Sequence, residues 1–125
     1  MKLKTLIWLD DMRDPFGYYG DAFGSWLVFS PIQEPFNVVW VKSHQEFIDW
    51  ININGLPDAI CFDHDLGDCN GIEEKTGYDS AKFLVEYCID NEIELPLYNI
   101  QSANPVGKEN IDSLLKNFIK HHSKE

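Results

Sequence analysis

Two acidic clusters close two apolar runs. Leu6-Ile7-Trp8-Leu9 ends in Asp10-Asp11, and Ala59-Ile60-Cys61-Phe62 ends in Asp63-His64-Asp65. A lone aspartate at such a place is commonly a turn or cap residue. Several carboxylates brought together repel one another, so they take up protons or hold a cation. An all-oxygen ligand set suits Mg²⁺ or Mn²⁺. Asp10, Asp11 and Asp63 are therefore the candidate metal ligands. Imidazole is the side chain suited to proton transfer near neutrality, so His64 is a candidate general acid or base beside Asp63 and Asp65, with a structural hydrogen-bonding role as the plainer alternative. On an extended strand Asp63 and Asp65 face one way and His64 the other. Arg13 carries a fork that matches phosphate oxygens. Ser102 and Asn104, with Lys108 nearby, stand where a strand runs into a helix N-terminus, a ready anion site. Arg13 and Lys108 also read as plain surface charges.

The elements that must position these residues follow from periodicity. Strands are expected at about Lys4 to Leu9, Asn37 to Lys42, the run ending at Phe62, and Leu97 to Gln101. Ser43-His44-Gln45-Glu46 has the form of a capping box, and Phe47, Ile48, Trp50 and Ile51 give the stripe of the helix behind it, closed by Asn54-Gly55. Thr76, with Asp79 three residues on, caps a second helix with Ala81, Leu84, Val85 and Cys88 on its buried face. Asn104-Pro105 opens a third, striped by Ile111, Leu114, Leu115, Phe118 and Ile119. Strands alternating with helices imply a parallel sheet with right-handed crossovers. The expected architecture is α/β, a three-layer sandwich of flavodoxin- or receiver-like type, truncated because no fifth strand follows the last helix. Ligands in such sheets collect beyond the carboxyl ends of the strands, where both acidic clusters lie.

The segment from about 14 to 36 breaks the pattern and reads as an insertion rich in glycine and aromatics, with Trp26 to Phe29 as a candidate short strand. Its aromatics are expected to cover one side of the sheet rather than to stack on a base. The whole of 1–125 reads as one domain.

Hydrophobic residues make up 44% of the chain, enough for a packed core. The net charge of −11 repels a phosphate backbone and argues against extended nucleic acid as a partner. A small phosphorylated ligand is compatible with it if a metal neutralises the acidic centre. No apolar run is long enough to span a membrane, and Met1-Lys2-Leu3-Lys4 lacks the pattern of a signal peptide. Cys61, Cys69 and Cys88 form no C-x-x-C pair and read as reduced thiols in a cytoplasmic protein.

An acidic pair ending the first strand, an aspartate ending the third and a serine ending the fourth resemble the receiver domain of two-component response regulators. The chain is more closely similar to the cyclic-phosphate processing receiver-like domains. The matching pieces are Leu9-Asp10-Asp11-Met12-Arg13, Phe62-Asp63-His64-Asp65-Leu66-Gly67, Thr76-Gly77-Tyr78-Asp79 and Ser102-Ala103-Asn104-Pro105-Val106-Gly107. The resemblance implies a Mg²⁺ or Mn²⁺ site at Asp10, Asp11 and Asp63, and hydrolysis or transfer at cyclic phosphates of nucleotides or RNA ends. A metal-dependent phosphoesterase is one expectation. A non-catalytic module that binds a cyclic nucleotide or a protein is a second, and a phosphoacceptor signalling domain a third. The third is weakened by the missing fifth strand, which carries a lysine in receivers. The closer family usually has histidine where this chain has Gln101, and an amide cannot shuttle a proton.

Overall fold

The computed structural model describes residues 3–17, 27, 30–32, 34–64, 66, 75–102 and 104–122. Strands β1 (Lys4–Leu9), β2 (Phe36–Val41), β3 (Ala59–Phe62) and β4 (Leu97–Ile100) alternate with helices α1 (His44–Asn54), α2 (Gly77–Asn91) and α3 (Pro105–His122) in the order β1-β2-α1-β3-α2-β4-α3. The four strands form one parallel sheet in the order β2-β1-β3-β4. This is the receiver-like α/β fold expected from the sequence, with four strands among the described residues. None of the described helices is long and apolar enough to cross a membrane.

The path from β2 to β3 and then from β3 to β4 advances in one direction across the sheet. Right-handed crossovers then put α1 and α2 on the same face. Ile7, Leu9, Ile60, Phe62 and Ile100 fill that face against Phe47 and Ile51 of α1, Leu84 and Cys88 of α2, and Ile111 and Leu115 of α3. The alternate strand residues, Leu6, Trp8, Ala59 and Cys61, form a second cluster on the other face with Ile32, and Leu27 packs against it. Both residues belong to the 14–36 segment, which thus contributes cover to the sheet. The candidate strand at Trp26 to Phe29 lies, apart from Leu27, outside the described residues, as does Cys69. Burial pushes the Cys61 thiol up to about 12 and Cys88 to about 11, as befits thiols that pack in a core.

Local chemistry sets the helix starts. Thr76 and Asp79 make the reciprocal capping box at α2. At α1, Ser43 Oγ accepts from the Glu46 amide, but the Glu46 carboxylate reaches back to the Lys42 amide, one residue beyond the expected one. Gly55 ends α1 at φ 84°. Asn104 Oδ1 accepts from the Gly107 amide and caps α3.

Gly77 fixes how α2 meets the end of β3. Its amide donates to the His64 carbonyl at 2.7 Å, and a Cβ there would collide with the Asp63 carbonyl. Gly77→Ala should therefore push α2 off the strand end and cost about 1–3 kcal/mol, read as a lower urea midpoint. An unchanged midpoint would show that this close approach is not needed.

Candidate metal centre

The strand register carries the acidic ends together. Leu9 pairs with Phe62, and the ladder runs one step further as Asp63 N donates to Leu9 O at 3.0 Å and Asp10 N to Val41 O at 3.1 Å. Asp10 and Asp63 are buried, Asp11 half-buried, and one ligand atom from each lies within 4.8 Å of the others. His64 does not join this cluster among the described residues. Its ring packs against α3, where a Cβ on Gly107 would collide with it, and its carbonyl is held by Gly77. The expected division, with Asp63 to one side and His64 to the other, is what the backbone produces. Asp65 lies outside the described residues.

Asp10 is held from both sides. Its Oδ1 accepts from the amides of Met12 at 3.0 Å and Arg13 at 2.9 Å, an Asx turn that folds the chain over the strand end. Its Oδ2 accepts from Arg13 Nη1 at 3.0 Å, and that same nitrogen is 3.7 Å from Asp63 Oδ1. So Arg13 stands between two of the candidate ligands. Two tryptophans that pair across β1 and β2 pin this turn from the other face of the sheet. Trp40 Nε1 donates to the Asp10 carbonyl at 2.7 Å and Trp8 Nε1 to the Arg13 carbonyl at 2.9 Å. Gln101 is buried and reaches from β4 to β1, its Nε2 3.2 Å from Leu9 O and 3.5 Å from Asp10 Oδ2. Its Oε1 has no hydrogen-bond partner among the described residues.

Sequence reasoning missed the roles of Trp8, Trp40 and Gln101. The signal available for the tryptophans was their need, when buried, for an acceptor to the indole N–H, and the acidic turn supplies one. The phosphate-site candidates separate. Ser102 Oγ accepts from the Asn104 amide, so Ser102 and Asn104 shape the first turn of α3 near the ends of the strands. Lys108 is exposed and lines a groove on the outer side of β4 with Tyr98, Ile100 and Asp112. Another groove, of about 690 Å³ and bordered by Ile89, Ile93, Leu97 and Ile119, lies at the amino end of β4, away from the carboxylates.

Burial, together with the negative charge of Asp10 and Asp11, pushes the Asp63 carboxyl up to about 6, while Arg13 and a hydrogen bond from the His64 backbone pull it down. The residues fit a divalent cation on the structure's own showing. Three acidic oxygen donors converge, one of them is protonated more readily than an ordinary carboxyl, and a guanidinium already sits between two of them.

A parallel sheet with this acidic pocket at its carboxyl edge defines a receiver-like α/β domain. The family model described as the cyclic-phosphate processing receiver domain matches residues 5–117, and the chain belongs to that family. A search of the curated proteins finds no match. Among solved structures, one described as the yeast Spc42 trimeric coiled coil, amino acids 181–211, fused to another structure is similar with a TM-score of 0.51 and 17% identity, over 98% of this chain and 81% of that one. That likeness speaks to the fold alone.

The raised Asp63 value has a signed consequence for the ion-free protein. A carboxyl whose pKa is higher folded than unfolded stabilises the fold most below the unfolded value of 3.8, and that contribution is lost as pH rises through about 6. The loss should approach 3 kcal/mol, at about 1.4 kcal/mol per pKa unit. His44, which burial holds below its ordinary value, works in the opposite sense as pH falls. The check is therefore the difference in urea stability between wild type and Asp63→Asn in chelator. The variant should gain on the wild type between pH 4 and 8, and a constant difference would contradict the assignment.

Proposed function

We propose that this protein is a divalent-metal-dependent domain acting on cyclic phosphates or phosphoesters of nucleotides or RNA ends, as a cytoplasmic phosphoesterase of small ligands. The observation that carries this reading is the convergence of Asp10, Asp11 and Asp63 within 4.8 Å in a chain of the cyclic-phosphate processing family. Bound there, Mg²⁺ or Mn²⁺ would supply positive charge to polarise a phosphoryl oxygen and acidify a water.

The chain's own residues supply the rest. Asp10 stays in place because backbone amides hold one oxygen and side-chain donors the other. Asp63 presents its carboxylate toward the same point from the neighbouring strand. Arg13 provides a planar donor pair for phosphate oxygens. The first turn of α3, whose Asn104 and Gly107 amides are taken up by Ser102 and Asn104, offers helix-end positive charge to an anion, with Lys108 as a more distant positive charge. Water would form the new P–O bond as a ring P–O bond breaks, and His64 or Asp65 is assigned to deliver to the leaving oxygen the equivalent of the proton that the water sheds.

A second reading, binding without turnover, is favoured by Gln101, which braces the pocket but cannot transfer a proton. Incubation with 2′,3′-cyclic nucleotides and Mn²⁺ separates the two. The phosphoesterase reading expects ring opening to a monophosphate, reduced at least about a hundredfold by Asp63→Asn. Saturable binding of the nucleotide with no product selects the second reading, and neither binding nor product across several metals defeats both.

A further inference from the structure

Arg13 lies against two of the carboxylates that a bound cation would need. Its Nη1 is 3.0 Å from Asp10 Oδ2 and 3.7 Å from Asp63 Oδ1, two of the three carboxylates of the cluster. A guanidinium stays protonated throughout the accessible pH range, so it cannot yield this place by losing charge. A divalent ion among the same oxygens would stand within a few ångströms of it and be repelled. The two cations therefore compete for the same oxygens.

The way the turn is built lets only the side chain move. The Arg13 amide is bonded to Asp10 Oδ1, and its carbonyl accepts from Trp8 Nε1. The backbone on either side of the side chain is thus fixed to β1. The Arg13 side chain is about a quarter exposed, at 25%, so it has a route toward solvent. Gln101 is the second observation that this pocket is prepared for exchange. Its buried amide lies 3.5 Å from Asp10 Oδ2, the oxygen that Arg13 grips, and offers a neutral donor there when the guanidinium leaves. Its Oε1 is buried and has no partner among the described residues.

We propose that Arg13 is the resident cation of this pocket, that a divalent ion displaces it, and that the displaced guanidinium then grips the phosphate of the ligand. Metal loading and phosphate binding are thereby coupled through one side chain. The proposal rests on the metal reading above. Coupling of this kind is reciprocal, so phosphate must also tighten the metal.

The test is calorimetric titration of Mg²⁺, then of inorganic phosphate into the Mg²⁺-saturated protein, for wild type, Arg13→Met and Arg13→Lys. Arg13→Met should bind Mg²⁺ at least about tenfold more tightly and phosphate about tenfold more weakly, with phosphate tightening the metal less than in the wild type. Arg13→Lys keeps the charge and should bind Mg²⁺ within about threefold of wild type. Mg²⁺ binding by Arg13→Met that is unchanged or weaker overturns the proposal, as does undiminished phosphate binding. A gain by Arg13→Lys equal to that of Arg13→Met overturns it too, since packing rather than charge would then be responsible. The native protein gives an independent readout. The guanidinium NMR signals of Arg13 should lose their hydrogen-bonded shift and gain mobility when Mg²⁺ is added, and signals that stay fixed while Mg²⁺ binds contradict displacement. A wild-type protein that binds no ion defeats the metal reading itself, a result separate from all of these.

Discussion

Three carboxylates at the ends of two adjacent parallel strands repel one another. The rest of this structure is arranged around that repulsion. The β1–β3 register sets Asp10 beside Asp63, and burial removes the water that would have screened them. The fold then answers with a guanidinium, three backbone amides and a carboxamide. It does not neutralise Asp63 fully, since that carboxyl remains well above its ordinary value. A pocket tuned in this way is costly for an ion-free protein and favourable for one that binds a divalent ion, because the ion repays the desolvation already incurred.

The two faces of the sheet divide the labour. The helical face supplies most of the core and delivers the N-termini of α2 and α3 to the carboxyl edge, where Gly77 and Gly107 let them close against Asp63 and His64. The other face carries Trp8 and Trp40, whose indole N–H groups fix the turn that holds Asp10, Asp11 and Arg13. Packing and site geometry are therefore not separate. Removing a tryptophan would leave a cavity and also release a carbonyl of the acidic turn.

Much of this was legible in the sequence. Strand periodicity located all four strands to within a residue or so, the caps at Ser43, Thr76 and Asn104 marked the helices, and alternation of strand and helix implied the parallel order that makes β1 and β3 neighbours. The acidic ends followed directly, because a strand's last residue lies where its apolar run stops. What was not legible depends on side-chain direction. Arg13 read as a phosphate clamp, yet it lies between Asp10 and Asp63. His64 stood in the sequence between two acids, yet its ring turns to α3. Glu46 reached Lys42 rather than Ser43. Lys108 shared a short segment with Ser102 and Asn104, but a helical turn carried it to the outer side of β4. Each of these outcomes was decided by neighbours from distant parts of the chain, which local spacing does not encode.

The account stands or falls on whether the three aspartates form a cation site. Calorimetric titration of chelator-treated protein with Mg²⁺ and with Mn²⁺ tests this most directly. One ion should bind per chain, with proton release below pH 6 as Asp63 ionises, and Asp63→Asn should abolish it. No binding of either ion, or binding that Asp63→Asn leaves unchanged, would contradict it.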